Sequence, residues 1–179
     1  MSLKAKVKVG NVTNLSDARY CAGMGVDLLG FPVGEDGLKP EQYKQLIDWV
    51  SGPEFVLEAY HSGSADLQYI TDNYPGHYIG IGITQLDWLS RQDLNFVVAI
   101  KQKDWQKVKG KSNVKFVELL DWDQDEPVSF DIPVLINTTN VDAVLKTGYG
   151  IALSGSPEEK PGIKDYSSLA DILEALEVE

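Results

Sequence analysis

The small-residue turn Ser154-Gly155-Ser156 is the stretch with the most evident chemical use, because it directly follows the apolar run IALS. Backbone N–H groups exposed at a turn and at the start of a following helix suit an anion. Small residues let that anion approach the main chain. The sequence therefore predicts a phosphate site formed by Ser154, Gly155 and Ser156. A plain turn before a helix, with no ligand, is the alternative.

Lys101 and Asp121 are the candidates for acid–base chemistry. Each follows an apolar run, FVVAI for Lys101 and VKFVELL for Asp121. Burial can move the pKa values of a lysine and an aspartate until they act as base and acid. We predict that Lys101 and Asp121 lie close enough to pair. An ordinary solvated ion pair is the alternative.

Two asparagines at predicted strand ends, Asn11 and Asn137, are candidates for substrate binding. An amide both donates and accepts hydrogen bonds without charge, which suits a carbonyl or hydroxyl group of a ligand. Asparagine is also an ordinary turn residue. His61 follows the third apolar run, and Glu58 lies within it, where a carboxylate needs partners. The pattern does not decide which way Glu58 points.

An alternation of apolar runs and amphipathic segments must position these side chains. The eight runs are AKVKVGN, VDLLGFPV, EFVLEAYH, HYIGIGI, NFVVAIK, VKFVELLD, IPVLIN and YGIALS. Strands that alternate with helices form parallel sheets, and eight such units close into a (β/α)₈ TIM barrel. We predict one barrel domain over residues 1–179. An open doubly wound sheet stays the alternative, because strand count alone does not prove closure.

The sixth connection is the part of the barrel that we expect to be trimmed. Barrels typically have about 200 residues or more, whereas this chain has 179. The stretch WDQDEPVSFDI contains Pro127 and has no helical periodicity. We predict that the sixth helix is reduced or missing. Its loss would leave apolar strand surface in need of cover.

Composition and charge exclude several classes of partner. The net charge is −11, and the few Lys and Arg residues are scattered, which argues against nucleic acid and anionic membranes. A lone cysteine, Cys21, cannot form an internal disulfide, and with two histidines we find no metal-ligand spacing. We expect Cys21 to be a buried packing thiol. We also expect a cytoplasmic protein that needs no metal and no cofactor.

Both ends of the chain resemble phosphoribosylanthranilate isomerases. The run from Ser154 through PEEKPGIKD is similar to the family's Ser-Ser-Gly-x-Glu and Pro-Gly-x-Lys-Asp. The N-terminal stretch, residues 7–31, resembles three features of the family: its Lys-Ile-Cys-Gly-Ile-Thr start, its Asp-Ala helix and its Gly-x-Asp-x-x-Gly-Phe strand. Its sequence is VKVGNVTNLSDARYCAGMGVDLLGF. The tripeptide LLD, ending at Asp121, is a third match. The resemblance implies the (β/α)₈ barrel.

The resemblance also implies a chemistry, which this chain matches only in part. The family performs an Amadori rearrangement in tryptophan biosynthesis, which needs an acid and a base. The resemblance assigns the acid to Asp121. The base is the cysteine of Lys-Ile-Cys-Gly, and this chain has Gly10 there. Its loops after the second, sixth and seventh strands also depart from the family's pattern.

Three functions stay open at this point. The first is a divergent barrel that binds a phosphorylated small molecule at its C-terminal face. The second is an isomerase with an unusual base. The third is a barrel without catalysis that serves as an interaction module, for which the trimmed sixth helix argues. The sequence does not fix the oligomeric state, so a homo-oligomer is possible.

Overall fold

Eight parallel strands form a closed barrel in the computed structural model, which describes residues 2–60, 62–63, 66–125, 128–155, 158–160, 163–164 and 167–178. They are β1 Val7–Gly10, β2 Leu28–Pro32, β3 Glu54–Glu58, β4 Tyr78–Gly82, β5 Phe96–Ile100, β6 Val114–Leu119, β7 Val134–Asn137 and β8 Gly150–Ser154. Closure comes from β1 and β8, which pair with Val7 opposite Ile151 and Gly10 opposite Ser154. The predicted (β/α)₈ barrel is confirmed, and the open doubly wound sheet is excluded.

The α-helices begin and end where the local sequence predicts. They are α1 Leu15–Gly23, α2 Pro40–Ile47, α3 Asp66–Asn73, α4 Val141–Thr147 and α5 Ser167–Ala175. Asn14 caps α1, since its Oδ1 accepts the N–H of Asp17 at 2.9 Å. Pro40 starts α2. The N–H groups of the first helical turn have no acceptor within the helix, so the N–H that proline lacks is not needed there. Within the described residues, no helix has the length and apolar character needed to cross a membrane.

The fourth and fifth connections are tighter than the α-helices of a typical barrel. Ile83–Ser90 and Gln102–Lys107 are 3₁₀ helices. Trp88 and Trp105 anchor them, and both side chains are buried. These shortened helices help to explain how 179 residues suffice for eight strands.

The connection between β6 and β7 has no helix in residues 120–125 and 128–133, the part of it that the structure describes. The predicted reduction of the sixth helix is confirmed. Four partly buried apolar side chains of this connection pack against the core instead: Trp122, Val128, Phe130 and Ile132. The Phe130 ring lies 4.6 Å from the Trp105 ring and 6.0 Å from the Tyr149 ring. The connection therefore supplies apolar side chains of its own to the core in place of a sixth helix.

The barrel interior has an apolar lower layer and a polar upper layer. Six side chains form the buried apolar cluster of the lower layer: Leu28, Val56, Val97, Phe116, Leu135 and Ala152. Glu58 follows Val56 by two residues on β3, and Glu118 follows Phe116 by two on β6. Because side chains of a strand alternate between its faces, both carboxylates point inward one layer higher. This settles the orientation of Glu58 that the sequence left open.

Beyond β8 the chain forms a short antiparallel ribbon that the sequence pattern did not predict. Its strands are β9 Glu158–Lys160 and β10 Ile163–Lys164. Much of the stretch that carries the C-terminal resemblance, including Ser156, lies outside the described residues.

Candidate functional site

A buried ion-pair cluster fills the barrel interior just below its C-terminal rim. Lys8 Nζ lies 2.6 Å from Glu58 Oε1 and 3.0 Å from Glu118 Oε2. The Tyr60 hydroxyl lies 3.5 Å from the same nitrogen and donates to Glu118 Oε2 at 3.3 Å. The lysine and both glutamates are at most 9% exposed, so their charges need the partners that they have. We call Lys8, Glu58, Tyr60 and Glu118 the barrel cluster.

The electrostatics of the barrel cluster keep Lys8 and Tyr60 protonated. Burial alone would lower the pKa of Lys8, but the oxygens of Tyr60, Glu58 and Glu118 raise it well above its ordinary value. Burial raises the pKa of Tyr60 well above its ordinary value, and the two carboxylates add to that rise while Lys8 opposes it. Lys8 is therefore a fixed cation and Tyr60 a fixed donor.

Gly10 and Gly30 make room for the Glu58 carboxylate. A Cβ atom on either glycine would lie less than 3.0 Å from Glu58 Oε1, closer than real Cβ atoms approach other atoms. Glu58 Oε2 accepts the backbone N–H of Asn11 at 2.8 Å, while Oε1 binds Lys8. The carboxylate is thus held at both oxygens, in the space that a side chain at residue 10 would otherwise occupy.

A pocket of about 280 Å³ opens above the barrel cluster at the C-terminal rim. It is lined by the cluster itself and by Gly10, Asn11, Asn137 and Ser154. A larger cavity of about 340 Å³ lies at the opposite end of the barrel, beside the first residues of β7 and β8. Barrel enzymes carry their reacting groups at the C-terminal end, so the rim pocket is the candidate site.

Three of the residues predicted to bind substrate or phosphate meet at this pocket. Asn11, Asn137 and Ser154 follow or end β1, β7 and β8, and all three line it. Asn137 Nδ2 donates to Glu118 Oε1 at 3.4 Å, a long hydrogen bond. Asn11 has a φ of 54°, in the left-handed region that asparagine tolerates better than most residues. The barrel thus joins three distant positions of the sequence into one surface.

The predicted phosphate turn lies at the same rim, with one of its donors already used. The N–H of Gly155 donates to the carbonyl of Gly10 at 2.7 Å. A Cβ atom on Gly155 would lie 3.1 Å from the Asn11 carbonyl, so the turn packs closely against the end of β1. In this conformation the N–H of Gly155 is already hydrogen-bonded and is not available to an anion. The third residue of the turn, Ser156, lies outside the described residues.

Asp121 and Lys101 lie beyond the strand ends at the same rim but do not line the pocket. Asp121 is exposed, and its Oδ1 accepts the N–H of Gln102 at 2.7 Å at the start of a 3₁₀ helix. Lys101 is exposed as well. Among the residues that the structure describes, no ion pair joins the two side chains within 4.0 Å. His61 falls outside those residues.

The other members of the barrel cluster escaped the sequence analysis. Lys8 and Glu118 were not singled out, because a charge within a short strand usually faces solvent. Their contacts join residues 50 and 110 positions apart, which no local pattern reveals. The available signal was that Lys8, Glu58 and Glu118 each have an apolar neighbour on both sides in the sequence.

The donor set of the site suits polar ligands and proton transfer better than a metal ion. In the described part of the chain, no group of three or more His, Cys, Asp or Glu side chains is arranged to hold a metal. The two carboxylates already share the Lys8 ammonium. Glu58 and Glu118 supply acceptors, and Lys8, Tyr60 and the asparagines supply donors. Such a set can orient hydroxyl groups and accept a proton.

Comparison with solved structures finds the same barrel in phosphoribosylanthranilate isomerases. TrpF from Jonesia denitrificans superposes with a TM-score of 0.74 at 16% identity, over 96% of each chain. A phosphoribosylanthranilate isomerase in complex with reduced 1-(o-carboxyphenylamino)-1-deoxyribulose 5-phosphate gives 0.70 at 16%, over 95% of this chain and 97% of its own. The Pyrococcus furiosus N-(5'-phosphoribosyl)anthranilate isomerase gives 0.67 at 18%, with the same coverage.

These likenesses concern the fold, and at that level they confirm the resemblance drawn from the sequence. No family model matches the chain, and no curated protein sequence matches it. The identities of 16% to 18% do not by themselves carry an activity across. Function must therefore be argued from the rim pocket.

Proposed function

We propose that this chain is a divergent barrel of the phosphoribosylanthranilate isomerase family that binds a phosphorylated small molecule in its rim pocket. One observation supports this most directly. Asn11, Asn137 and Ser154 converge from three strand ends on one polar pocket at the C-terminal face. That face is where barrel proteins bind phosphate, near the ends of the seventh and eighth strands.

The phosphate would lie against Ser154, with the rest of the ligand toward Asn11 and Asn137. Because the Gly155 N–H is already bonded to Gly10, the Ser154 hydroxyl and the asparagine amides are the nearest described donors. Lys8 is neutralised by two carboxylates, so we assign it no phosphate contact. The pocket's acceptors, Glu58 and Glu118, suit the hydroxyl groups of a sugar.

The isomerase reaction of the family cannot run in its usual form in this chain. Gly10 has no group that accepts a proton, and losing a general base typically costs about 10²- to 10⁴-fold in rate. Asp121 keeps the position that the resemblance assigns to the acid, and its role stays a prediction. We therefore propose ligand binding as the function of this chain and treat turnover as a separate question.

Isothermal titration calorimetry with ribose 5-phosphate, ribose and inorganic phosphate tests the proposal. We expect ribose 5-phosphate to bind more tightly than either part alone. Ser154→Asp places a negative charge at the pocket and should weaken binding about tenfold or more, or roughly 1.4 kcal/mol. Ser112→Asp is the matched control, since Ser112 is exposed before β6 at the opposite end. No heat at millimolar ligand, or equal affinities for both variants, would overturn the proposal.

The alternative, a barrel without catalysis that serves as an interaction module, rested on uncovered strand surface at the sixth connection. Four partly buried side chains of that connection pack against the core instead: Trp122, Val128, Phe130 and Ile132. This packing weakens the specific reason for the alternative, which stays a prediction together with a homo-oligomer. Ligand binding at the rim is the function that the geometry favours.

A further inference from the structure

We propose that Glu58 is the proton acceptor of the rim pocket and acts from the space that glycine leaves free at residue 10. This inference rests on the proposed function, because it concerns what the same pocket does to a bound ligand. It names a group on β3 for a role that neither the sequence motifs nor the comparisons assign to it.

The shape of the barrel around Glu58 supports the proposal. Two neighbouring strands carry glycine, Gly10 on β1 and Gly30 on β2, at the points where any Cβ atom would collide with the Glu58 carboxylate. The carboxylate reaches through this opening to the rim, where Oε2 accepts the N–H of Asn11. Residues 10 and 58 both line the pocket. A ligand in the pocket thus meets the Glu58 carboxylate at the place of a residue-10 side chain.

The other groups of the barrel cluster are less suited to accept the proton. Lys8 stays charged and Tyr60 stays protonated, so neither has a basic lone pair to offer. Both glutamates are bonded to Lys8, but Glu118 Oε2 also accepts from Tyr60. The carboxylate atoms nearest to the space at residue 10 belong to Glu58 and not to Glu118. Glu118 instead stabilises the Lys8 charge during the proton transfer. When Glu58 takes up a proton, the Lys8 ammonium still keeps one carboxylate partner at 3.0 Å.

The step that we assign to Glu58 is removal of a proton from a carbon next to a protonated imine. The carboxylate takes the proton, and the C–H electron pair forms the C=C bond of an enamine. The electrons of the C=N bond return to nitrogen, which becomes neutral. Glu58 later returns the proton to the solvent or to the product, so the step needs no oxidant and no second reactant.

The test combines turnover of phosphoribosylanthranilate, followed by loss of its fluorescence, with calorimetric binding of its reduced product analogue. We expect wild-type turnover to be measurable and Glu58→Gln to lower kcat about 10²- to 10⁴-fold, with a much smaller effect on the Kd of the analogue. Glu58→Asp should restore part of kcat.

Glu118→Gln is the matched control, because it removes one carboxylate from the same ammonium without touching the space above Gly10. We expect its kcat to fall at least tenfold less than that of Glu58→Gln. Equal losses in the two variants, unchanged turnover in Glu58→Gln, or a flat wild-type trace despite tight binding would each overturn the role of Glu58. Failure of the analogue to bind would instead overturn the proposed function itself.

Discussion

The Glu58 carboxylate and Gly10 share one space: Oε1 lies less than 3.0 Å from the point where a Cβ atom on residue 10 would stand. Glu58 comes from β3, and Gly10 ends β1, with β2 between them. Gly30 on β2 leaves the opening through which the carboxylate reaches. The absence of a side chain at residue 10 is therefore matched by a buried acidic group at the same spot.

Replacing the shared cation should be costly. Lys8→Met leaves Glu58 and Glu118 buried beside each other without a counter-charge, and removing one partner of a buried ion pair costs about 3–5 kcal/mol. We expect a loss of this size in the free energy of unfolding, measured by urea denaturation at neutral pH.

Lys6→Met is the control for that substitution, because Lys6 is a lysine two residues before Lys8 that also forms an ion pair. Lys6 pairs with Asp27 at 3.3 Å, but the two side chains are 45% and 34% exposed. Such pairs contribute at most about 1 kcal/mol. If Lys8→Met lost no more stability than Lys6→Met, the barrel cluster would not be the buried ion pair described here.

The connection that replaces the sixth helix should contribute to the core. Phe130→Ala removes a partly buried ring that packs against Trp105 and Tyr149. We expect a loss of about 1–3 kcal/mol, less than for a fully buried phenylalanine. Trp49→Ala serves as the control, because Trp49 is 72% exposed, and it should change stability by less than about 0.5 kcal/mol. A neutral Phe130→Ala would show that the connection does not cover the strands.

The only thiol should be inert in the folded protein. Cys21 is buried in α1, and burial, aided by the charge of Asp17, raises its pKa to about 12. Since an ordinary thiol has a pKa near 8.5, the thiolate fraction at pH 8.5 should be lower by roughly 10³-fold. Iodoacetamide should label native protein far more slowly than protein in 8 M urea, as mass spectrometry can follow. Rates within tenfold of each other would contradict the predicted burial.

The direction of the Cys21 pKa shift determines how the stability of the protein depends on pH. The folded pKa lies above the unfolded one, so the neutral thiol is the form that the fold favours. Its contribution is complete below about pH 8.5 and is lost as the pH rises from there toward 12. The free energy of unfolding should therefore fall less steeply above pH 9 in Cys21→Ala than in the wild type. Urea denaturation at a series of pH values measures this difference.

The strands and α-helices were predictable from the sequence because each depends on a local pattern, whereas closure of the barrel was implied by the family resemblance. Each apolar run predicts a strand, and Asn14 and Pro40 mark helix starts by capping chemistry that acts within three or four residues. The loss of the sixth helix was equally local, since its stretch has Pro127 and no periodicity. Asn11, Asn137 and Ser154 could be placed at one rim because parallel strands bring their ends together.

Local sequence patterns could not predict the barrel cluster, for a physical reason. Strands of a barrel are buried on both faces, so an apolar run of five residues does not show which positions point inward. The sequence left the orientation of Glu58 open and gave no sign that Glu118 points inward. Which charges meet depends on the register of β1, β3 and β6, and that is set only once the sheet closes.

The most direct measurement of the central claim is a double-mutant cycle between residues 10 and 58. Gly10→Ala should destabilise the wild type by about 1–3 kcal/mol, because the added methyl forces the anchored Glu58 carboxylate from its partners. In a Glu58→Ala background the same methyl should cost at least about 1 kcal/mol less, which is a coupling free energy measurable by urea unfolding of the four proteins. If the two substitutions were additive within about 0.5 kcal/mol, Glu58 would not occupy the space at residue 10, and its proposed role would be wrong.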